Sequence, residues 1–218
     1  MRNPWLDLPA SAPFVLPADA AAIARFNERA RADVAVHLEL LPEPFLGDPL
    51  APVVLLGLNP GFSPDDAACH ADPTFAALSR ANLEHRKSDF PFYLLNPAAP
   101  GPGRRWWSKR LRKLIEATSL SAVANRVLCV EFFGYHSDRY AHRKLRLPSQ
   151  DYGVHLLRQA MARNAVVVVM RSRRFWFDAV PELASYPRRF SLRNVQSTYV
   201  SPRNCPDGFD AIVAAVKG

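Results

Sequence analysis

Three short runs of apolar residues place the tightest limit on how this chain folds. They are Val53–Leu58, Val127–Phe133 and Ala165–Met170. They are rich in β-branched residues and do not alternate with polar ones, which is typical of parallel strands buried on both faces. Periodic segments separate or follow them, and these predict helices at Asp72–Arg86, Arg104–Thr118, Ser149–Arg163, Ser172–Ala184 and Asp207–Val216.

The alternation of strands and helices predicts an α/β fold, a three-layer α/β/α sandwich around a central, mainly parallel four-stranded sheet. We expect the fourth, weaker strand at Asn194–Tyr199. Residues 1–218 form one domain in this interpretation, with residues 1–50 as a peripheral N-terminal extension. Within that extension, an amphipathic segment at Asp19–Arg31 and the run Val34–Leu40 are expected to pack outside the sheet.

Composition excludes several classes of protein. Hydrophobic residues make up 49% of the chain, enough for a core, and no apolar run approaches the roughly 18 residues that a membrane span needs. The N-terminus has no apolar segment before a cleavage site, so we expect a cytoplasmic protein without a membrane partner. We also expect a monomer. Three widely spaced cysteines, Cys69, Cys129 and Cys205, predict neither a disulfide framework nor a metal site. Phosphate-loop, dinucleotide and serine-hydrolase motifs are absent.

Positive charge is concentrated in the second half of the chain. The formal net charge is +8, yet residues 1–100 carry 12 acidic and only 7 basic side chains. Residues 101–150 carry 11 basic against 3 acidic, and residues 151–218 carry 10 against 5. Basic chains often bind polyanions, which predicts a phosphate-rich partner for the second half. A composition rich in Arg, Ala and Pro is equally expected from a GC-rich genome.

Polar and glycine-containing segments follow the predicted strands, where ligands of open α/β sheets bind. The first core strand ends in Gly57-Leu-Asn-Pro-Gly-Phe-Ser63, and the last in Tyr199-Val-Ser-Pro-Arg-Asn204. The other two ends follow Glu131 and Met170. Taken alone, each motif is an ordinary turn or loop. The two together, at the ends of the first and last core strands, are more specific.

This pair of motifs resembles the uracil-DNA glycosylase superfamily, most closely its single-strand-selective monofunctional branch. Members carry Gly-x-Asn-Pro-Gly after the first core strand and His-Pro-Ser-Pro-Arg-Asn before the last helix. Residues 57–61 match the first motif fully, and residues 201–204 match four of the six positions of the second. The resemblance implies a DNA glycosylase that flips a damaged base out of single- or double-stranded DNA. A water then attacks C1′ of the sugar, without metal or cofactor.

The resemblance also implies roles for the motif residues. Asn59 holds the attacking water, while Gly61 gives the base or sugar close access to the backbone beside Phe62. Arg203 matches the wedge that fills the gap left by the flipped nucleotide. The remaining motif residues are assigned to the substrate or its phosphates: Gly57, Ser201, Pro202 and Asn204.

Recognition of a flipped base requires an aromatic platform and a polar group on the base edge. We choose Phe92 as the platform and keep Phe75 as a rival, although any single one of these rings is more often part of the core. Glu131 stands where family members often have an Asn that reads uracil. A carboxylate accepts hydrogen bonds but donates one only when protonated, so the base that is read stays open. Alternatively, Glu131 forms a structural ion pair with a basic neighbour.

Tyr199 is the largest departure from the family pattern, because it replaces the motif's His. That His is associated with stabilising the anion on the leaving base, and Tyr offers a hydroxyl donor but no cation. Tyr199 is still our second catalytic candidate. The alternative function is a catalytically silent nucleic-acid or nucleotide-binding protein on the same fold.

Basic side chains beyond the motifs are candidates for the DNA backbone. Two tryptophans, Trp106 and Trp107, lie among six cations in residues 104–113, a pattern typical of phosphate tracking or of an amphipathic helix with solvated charges. His136 and His142 lack further ligands at metal spacing, so we expect surface histidines. The predicted backbone contacts are Arg104, Arg105, Lys109, Arg171 and Arg173.

Overall fold

The central sheet is mixed and has five strands. The computed structural model describes residues 1–218. The strands are β1 (Phe45–Leu46), β2 (Val53–Leu56), β3 (Val127–Val130), β4 (Val166–Val169) and β5 (Arg189–Ser191), in the order β1-β3-β2-β4-β5. Strands β2 to β5 run parallel, and β1 pairs antiparallel with β3. The α/β class is confirmed, whereas the prediction of four strands is wrong, because a fifth strand, the antiparallel β1, makes the mainly parallel sheet mixed.

The prediction of a strand at Asn194–Tyr199 is also wrong, because side chains hydrogen-bond to the backbone groups that strand pairing would use. The side-chain oxygen of Asn194 accepts hydrogen bonds from the backbone N–H groups of Gln196 and Ser197, both at 3.0 Å. The Asn204 amide donates to the carbonyls of Asn194, Ser197 and Tyr199. These bonds fold the segment into turns, and β5 forms the sheet edge instead.

Burial on both faces of β2, β3 and β4 is confirmed. Every residue of these three strands is buried. Because side chains alternate along a strand, Val54 and Leu56 join one apolar cluster while Val53 and Leu55 join the other. One cluster includes side chains of the helices Pro17–Asn27, Gln150–Ala162 and Arg173–Ala179, and the second includes side chains of the helices Pro102–Ala117, Leu120–Arg126 and Phe209–Lys217. Helices therefore pack on both sides of the sheet.

Eight α-helices surround the sheet. The predicted helices correspond to α3, α4, α6, α7 and α8, and the amphipathic N-terminal segment to α1. Helices α2 and α5 were not expected; the side chain of Ser119 caps α5 by accepting from the Ala122 N–H at 3.0 Å. The bounds are α1 (Pro17–Asn27), α2 (Asp66–Ala71), α3 (Pro73–Leu83), α4 (Pro102–Ala117), α5 (Leu120–Arg126), α6 (Gln150–Ala162), α7 (Arg173–Ala179) and α8 (Phe209–Lys217). No helix is both long and apolar enough to span a membrane.

Residues 1–50 contribute to the sheet and to its core. Strand β1 forms one edge of the sheet, and Trp5, Ile23 and Leu41 belong to the same apolar cluster as Val54. The Tyr135 hydroxyl donates to a carboxylate oxygen of Asp19 at 2.7 Å and accepts from the Leu16 N–H. This stretch is therefore more closely integrated than a peripheral extension.

Candidate functional site

A cavity of about 400 Å³ opens at the carboxyl ends of β2, β3 and β4. This position is where an open α/β sheet binds ligands. Segments that are far apart in sequence meet there: residues 57–63 after β2, the region after β3, residues 170–171 after β4, and parts of α2 and α4. The principal polar lining residues are Glu43, Asn59, Ser63, Asp66, His70, Glu131, His136, Ser137, Asp138, Arg171 and Thr198.

The Asn59 side chain is held in one orientation within this lining. Its Nδ2 donates to the Pro60 carbonyl at 2.8 Å and to Ser137 Oγ at 3.1 Å. Because the Pro60 carbonyl only accepts, Nδ2 must face it, and this fixes the amide orientation. Oδ1 receives no protein donor. A fixed amide with an available carbonyl oxygen is suited to hold one water.

The loop around Asn59 leaves backbone accessible on one side. A Cβ on Gly61 would meet no atom within 4 Å, so there is open space beside this position. At Gly57 a Cβ would lie 2.1 Å from Glu131 Oε2, so glycine is needed for the carboxyl group to pack there. Phe62 lines the cavity and stacks on His37, with ring centroids 3.9 Å apart.

The structure separates the two candidate aromatic platforms. Phe92 is fully buried in the core, with its ring centroid 5.0 Å from that of Trp107, and it does not line the cavity. Phe75, the rival, does line it. Trp106 and Trp107 also reach the cavity from α4. The rings available to a ligand are therefore Phe62, Phe75 and the two tryptophans rather than Phe92.

Glu131 lies on the cavity wall without a salt bridge. Burial, opposed by the hydrogen bond from Cys129 and reinforced by the nearby Glu43, raises the pKa of Glu131 to about 7, while Arg171 acts in the opposite direction. The Arg171 guanidinium donates instead to the carbonyls of Val195 and Gln196, at 3.3 and 3.5 Å. The structural ion pair is not present.

A second titratable group on the wall was not predicted. Glu43 is buried and accepts a hydrogen bond from the Tyr93 hydroxyl at 2.7 Å, and burial raises its pKa to about 7. Its ligand atoms lie within 4.8 Å of nitrogens of His70 and His136. His136 and His142 are buried, so the expectation of surface histidines is wrong.

Two histidines and a glutamate are a common zinc set, yet the partners of these rings oppose ligation. His70 Nδ1 accepts from the Leu41 N–H at 3.0 Å, which places its proton on Nε2, and burial lowers its pKa to about 3. His136 Nδ1 and Nε2 face the carbonyls of Gly61 and Leu41 at 2.7 and 3.0 Å. Ligation by His70 Nε2 would require the ring to give up the bond from the Leu41 N–H, and both nitrogens of His136 face carbonyl oxygens, so the contacts present oppose ligation.

The second motif lies beside the cavity rather than on its wall. Tyr199 stacks against Arg110, whose guanidinium carbon is 4.4 Å from the ring centroid and 4.8 Å from that of Trp106. Thr198 lines the cavity instead, and its buried hydroxyl has no partner. Asn204 is buried and holds the loop through its three amide bonds, while Ser201 Oγ accepts from the Asn204 N–H. Pro202 and Arg203 are exposed.

The five basic side chains predicted to contact the DNA backbone differ in their exposure and in their protein partners. Lys109 is exposed on α4 and forms no salt bridge, whereas Arg105 pairs with Asp65 at 3.5 Å. Arg104 is half-buried at the start of α4, and Arg173 lies over the Phe177 ring at 5.0 Å. Of the five, only Arg171 lines the cavity.

Comparison of the chain with protein-family models, curated proteins and solved structures gave no match.

Proposed function

We propose that the chain is a DNA glycosylase that removes a deaminated or otherwise damaged base, working as a monomer. The observation that carries this proposal is the Asn59 amide, fixed by Pro60 and Ser137 with Oδ1 left for a water in a cavity. The proposal includes a three-layer fold similar to that of the uracil-DNA glycosylase superfamily. Residues 57–61 lie at the end of β2, where that motif is expected.

Hydrolysis of a glycosidic bond needs one placed water and one stabilised leaving group. The Asn59 carbonyl is a neutral acceptor that orients water without deprotonating it strongly, which suits an oxocarbenium-like sugar. The C1′–N bond breaks with its electron pair going to the base, and the water oxygen forms a bond to C1′. One water proton is released and the base is reprotonated, so no cofactor is required.

The cavity offers space and surfaces suited to one base. Its volume lies near the lower end of the usual range for small-molecule sites. Phe62, Phe75 and Trp106 provide aromatic surfaces of the kind that grip a flipped base. The remaining lining includes polar groups on several sides, which a base edge requires.

Contacts to DNA phosphates are assigned to the basic surface outside the cavity. Lys109 on α4 and Arg203 in the loop after Tyr199 are exposed and form no salt bridge. Such cations neutralise phosphates and orient a strand without reading its sequence. In this arrangement the backbone stays outside while one base enters.

The test uses oligonucleotides that each carry one uracil, hypoxanthine, xanthine or alkylated base, in single and double strands. Alkaline strand cleavage after incubation reports an abasic site. Asn59→Ala should reduce cleavage about 10²-fold or more while DNA binding is kept. Asn125→Ala is the matched control, because that exposed amide bonds only the carbonyls of Asp89 and Ser121. Absence of cleavage with every lesion, or equal activity of the two variants, refutes the proposal.

A catalytically silent nucleic-acid or nucleotide-binding protein is the second candidate. It is favoured by Tyr199, which replaces the motif's His and packs on Arg110 outside the cavity lining. Tyr199→His is the discriminating variant. A gain of cleavage where the natural protein has none supports the silent protein, whereas a loss of existing cleavage assigns Tyr199 to the active enzyme.

A further inference from the structure

Arg110 is a cation that two aromatic rings hold beside the cavity. Its guanidinium carbon lies 4.4 Å from the ring centroid of Tyr199 and 4.8 Å from that of Trp106. Trp106 lines the cavity and precedes Arg110 by one turn of α4, so the guanidinium lies next to the cavity lining. Arg110 forms no salt bridge, whereas Lys113 on the same helix pairs with Glu116 at 2.6 Å.

The nitrogen atoms of Arg110 have no acceptor within the protein. Nε is buried and has no partner, and it is the only nitrogen of this side chain that is enclosed in this way. The two Nη groups are therefore open to solvent. A guanidinium presents its N–H groups in its own plane, where they match two oxygens of one phosphate. Because the rings cover its faces, this edge is the part that is left to bind a ligand.

The backbone ties Arg110 to the loop of the second motif. The Val200 N–H donates to the Arg110 carbonyl at 3.0 Å. Thr198 and Val200 are both buried, so Tyr199 is fixed between two anchored residues with its ring against the guanidinium. The same loop carries the exposed Arg203, so α4 and the loop both supply cations beside the cavity.

Tyr199 meets Arg110 through its ring, which explains a role for tyrosine at this position. The face of an aromatic ring is negative in its quadrupole and attracts a cation that lies over it. A protonated histidine at position 199 would instead place a second cation against Arg110. The ring of Tyr199 does not line the cavity, so its contact with the arginine is the interaction that the structure shows for it.

We propose that Arg110 binds one phosphate of the DNA strand whose base enters the cavity, and that Tyr199 is a positioning residue for this arginine. The inference rests on the proposed function, because it takes DNA as the ligand. Two oxygens of a phosphodiester accept from the Nη groups while the phosphate stays outside the acidic cavity lining. Since the two rings already hold the guanidinium, little side-chain freedom is lost when the phosphate binds.

The test measures binding of the intact protein to a duplex with one uracil, by fluorescence anisotropy at several salt concentrations. Arg110→Ala should weaken binding severalfold to about tenfold and reduce the log–log salt slope by about 0.9, because one phosphate contact is lost. Arg110→Gln keeps a flat end group without the charge, should give the same result, and serves if Arg110→Ala does not fold. Arg158→Ala removes one exposed charge paired with Glu182, and this matched control should keep the natural slope.

The salt slope separates a phosphate contact from a purely structural stacking of rings. An arginine that only packs on Trp106 and Tyr199 neutralises no phosphate, so its removal would lower stability without changing the slope. Release of the base leaves the phosphates of the strand in place. The measurement therefore does not depend on whether the protein cleaves the uracil.

Variants of Tyr199 test the positioning role. Tyr199→Phe keeps the ring face and should bind DNA as the natural protein does, with the same slope. Tyr199→Leu removes the ring and should lose part of the affinity that Arg110→Ala loses. In an Arg110→Ala background Tyr199→Leu should have no further effect on binding, because it acts through that arginine.

Two results would overturn the inference: a natural salt slope in both Arg110 variants, or Tyr199→Phe binding as weakly as Tyr199→Leu. These outcomes are distinct from those of the proposed function. The expected change of slope without cleavage of any lesion refutes the glycosylase reaction and leaves the phosphate contact standing. Cleavage together with an unchanged slope refutes the Arg110 contact alone, and a protein that binds no DNA at any salt concentration contradicts both.

Discussion

Gly57→Ala tests how closely the end of β2 and the Glu131 carboxyl are packed. The new Cβ would lie 2.1 Å from Oε2 and 2.5 Å from both Cδ and Oε1 of Glu131. A non-bonded carbon does not approach carboxyl atoms this closely, so the carboxyl or the strand end must move. The backbone has little freedom, because the Gly57 carbonyl accepts from Trp176 Nε1 at 2.8 Å and its N–H donates to the Val130 carbonyl at 2.9 Å.

The expected cost is that of overpacking, about 1–3 kcal/mol in the free energy of unfolding. For a chain of this length that corresponds to a fall in Tm of about 2–12 °C. Gly61→Ala is the matched control, since its Cβ would meet nothing within 4 Å, and we expect a change within about 1 kcal/mol. Urea denaturation followed by circular dichroism measures both variants.

A double-mutant cycle assigns the cost to the right neighbour. In a Glu131→Ala background the obstructing carboxyl is gone, so Gly57→Ala should lose most of its effect, a coupling of about 1 kcal/mol or more. Equal stability of Gly57→Ala and Gly61→Ala would refute the packing argument. So would a Gly57→Ala cost that is the same with and without the Glu131 side chain.

Three further predictions concern DNA contacts and pH. Arg203→Ala should impair action on a lesion paired in duplex far more than on the same lesion in single strand, because unstacking costs most in duplex; equal loss on both, measured by cleavage or by fluorescence of an adjacent 2-aminopurine, contradicts a wedge. Binding to duplex DNA should weaken with salt, and Lys109→Ala should reduce the log–log slope by about 0.9; binding that is indifferent to salt separates the +8 charge from any polyanion. Because the pKa of Glu131 is raised on folding from 4.5 to about 7, its stabilising contribution is present below about pH 4.5 and lost as pH rises through about 7. Urea denaturation should therefore show Glu131→Gln gaining about 1–3 kcal/mol relative to the natural protein between pH 5 and pH 8, and a constant difference excludes the raised pKa.

The sequence predicts the elements that carry their own pattern. Strands β2, β3 and β4 are apolar throughout, and helices such as α4 and α6 show a regular apolar stripe, so local signals suffice. Strands β1 and β5 have two and three residues and take their position from pairing with β3 and β4. A segment of two or three residues is too short to show the periodicity of apolar residues that predicts a strand.

The candidate site likewise combines residues that the sequence predicts with residues that it does not. Residues 57–61 are contiguous, and their motif located one side of the cavity. Glu43, His70 and Thr198 come from separate segments and meet only when the chain has folded. One signal was available for Glu43, a lone carboxylate in the otherwise apolar stretch Leu40–Leu46, where an acidic side chain is costly to bury unless it has a role or a partner. The sequence does not show which ring of an aromatic cluster faces a cavity, so it does not separate Phe92 from Phe75.

The distribution of charge links the cavity to the surface around it. Four acidic residues line the cavity, Glu43, Asp66, Glu131 and Asp138, against a single basic one, Arg171. His70 is neutral, since burial lowers its pKa to about 3. The one guanidinium on the walls, Arg171, donates to the carbonyls of Val195 and Gln196, so a phosphate entering the cavity would meet no free cation, while a neutral ring needs none. The unpaired cations Lys109 and Arg203 lie outside, so the two surfaces together favour a ligand whose base is inserted and whose phosphates remain on the basic surface.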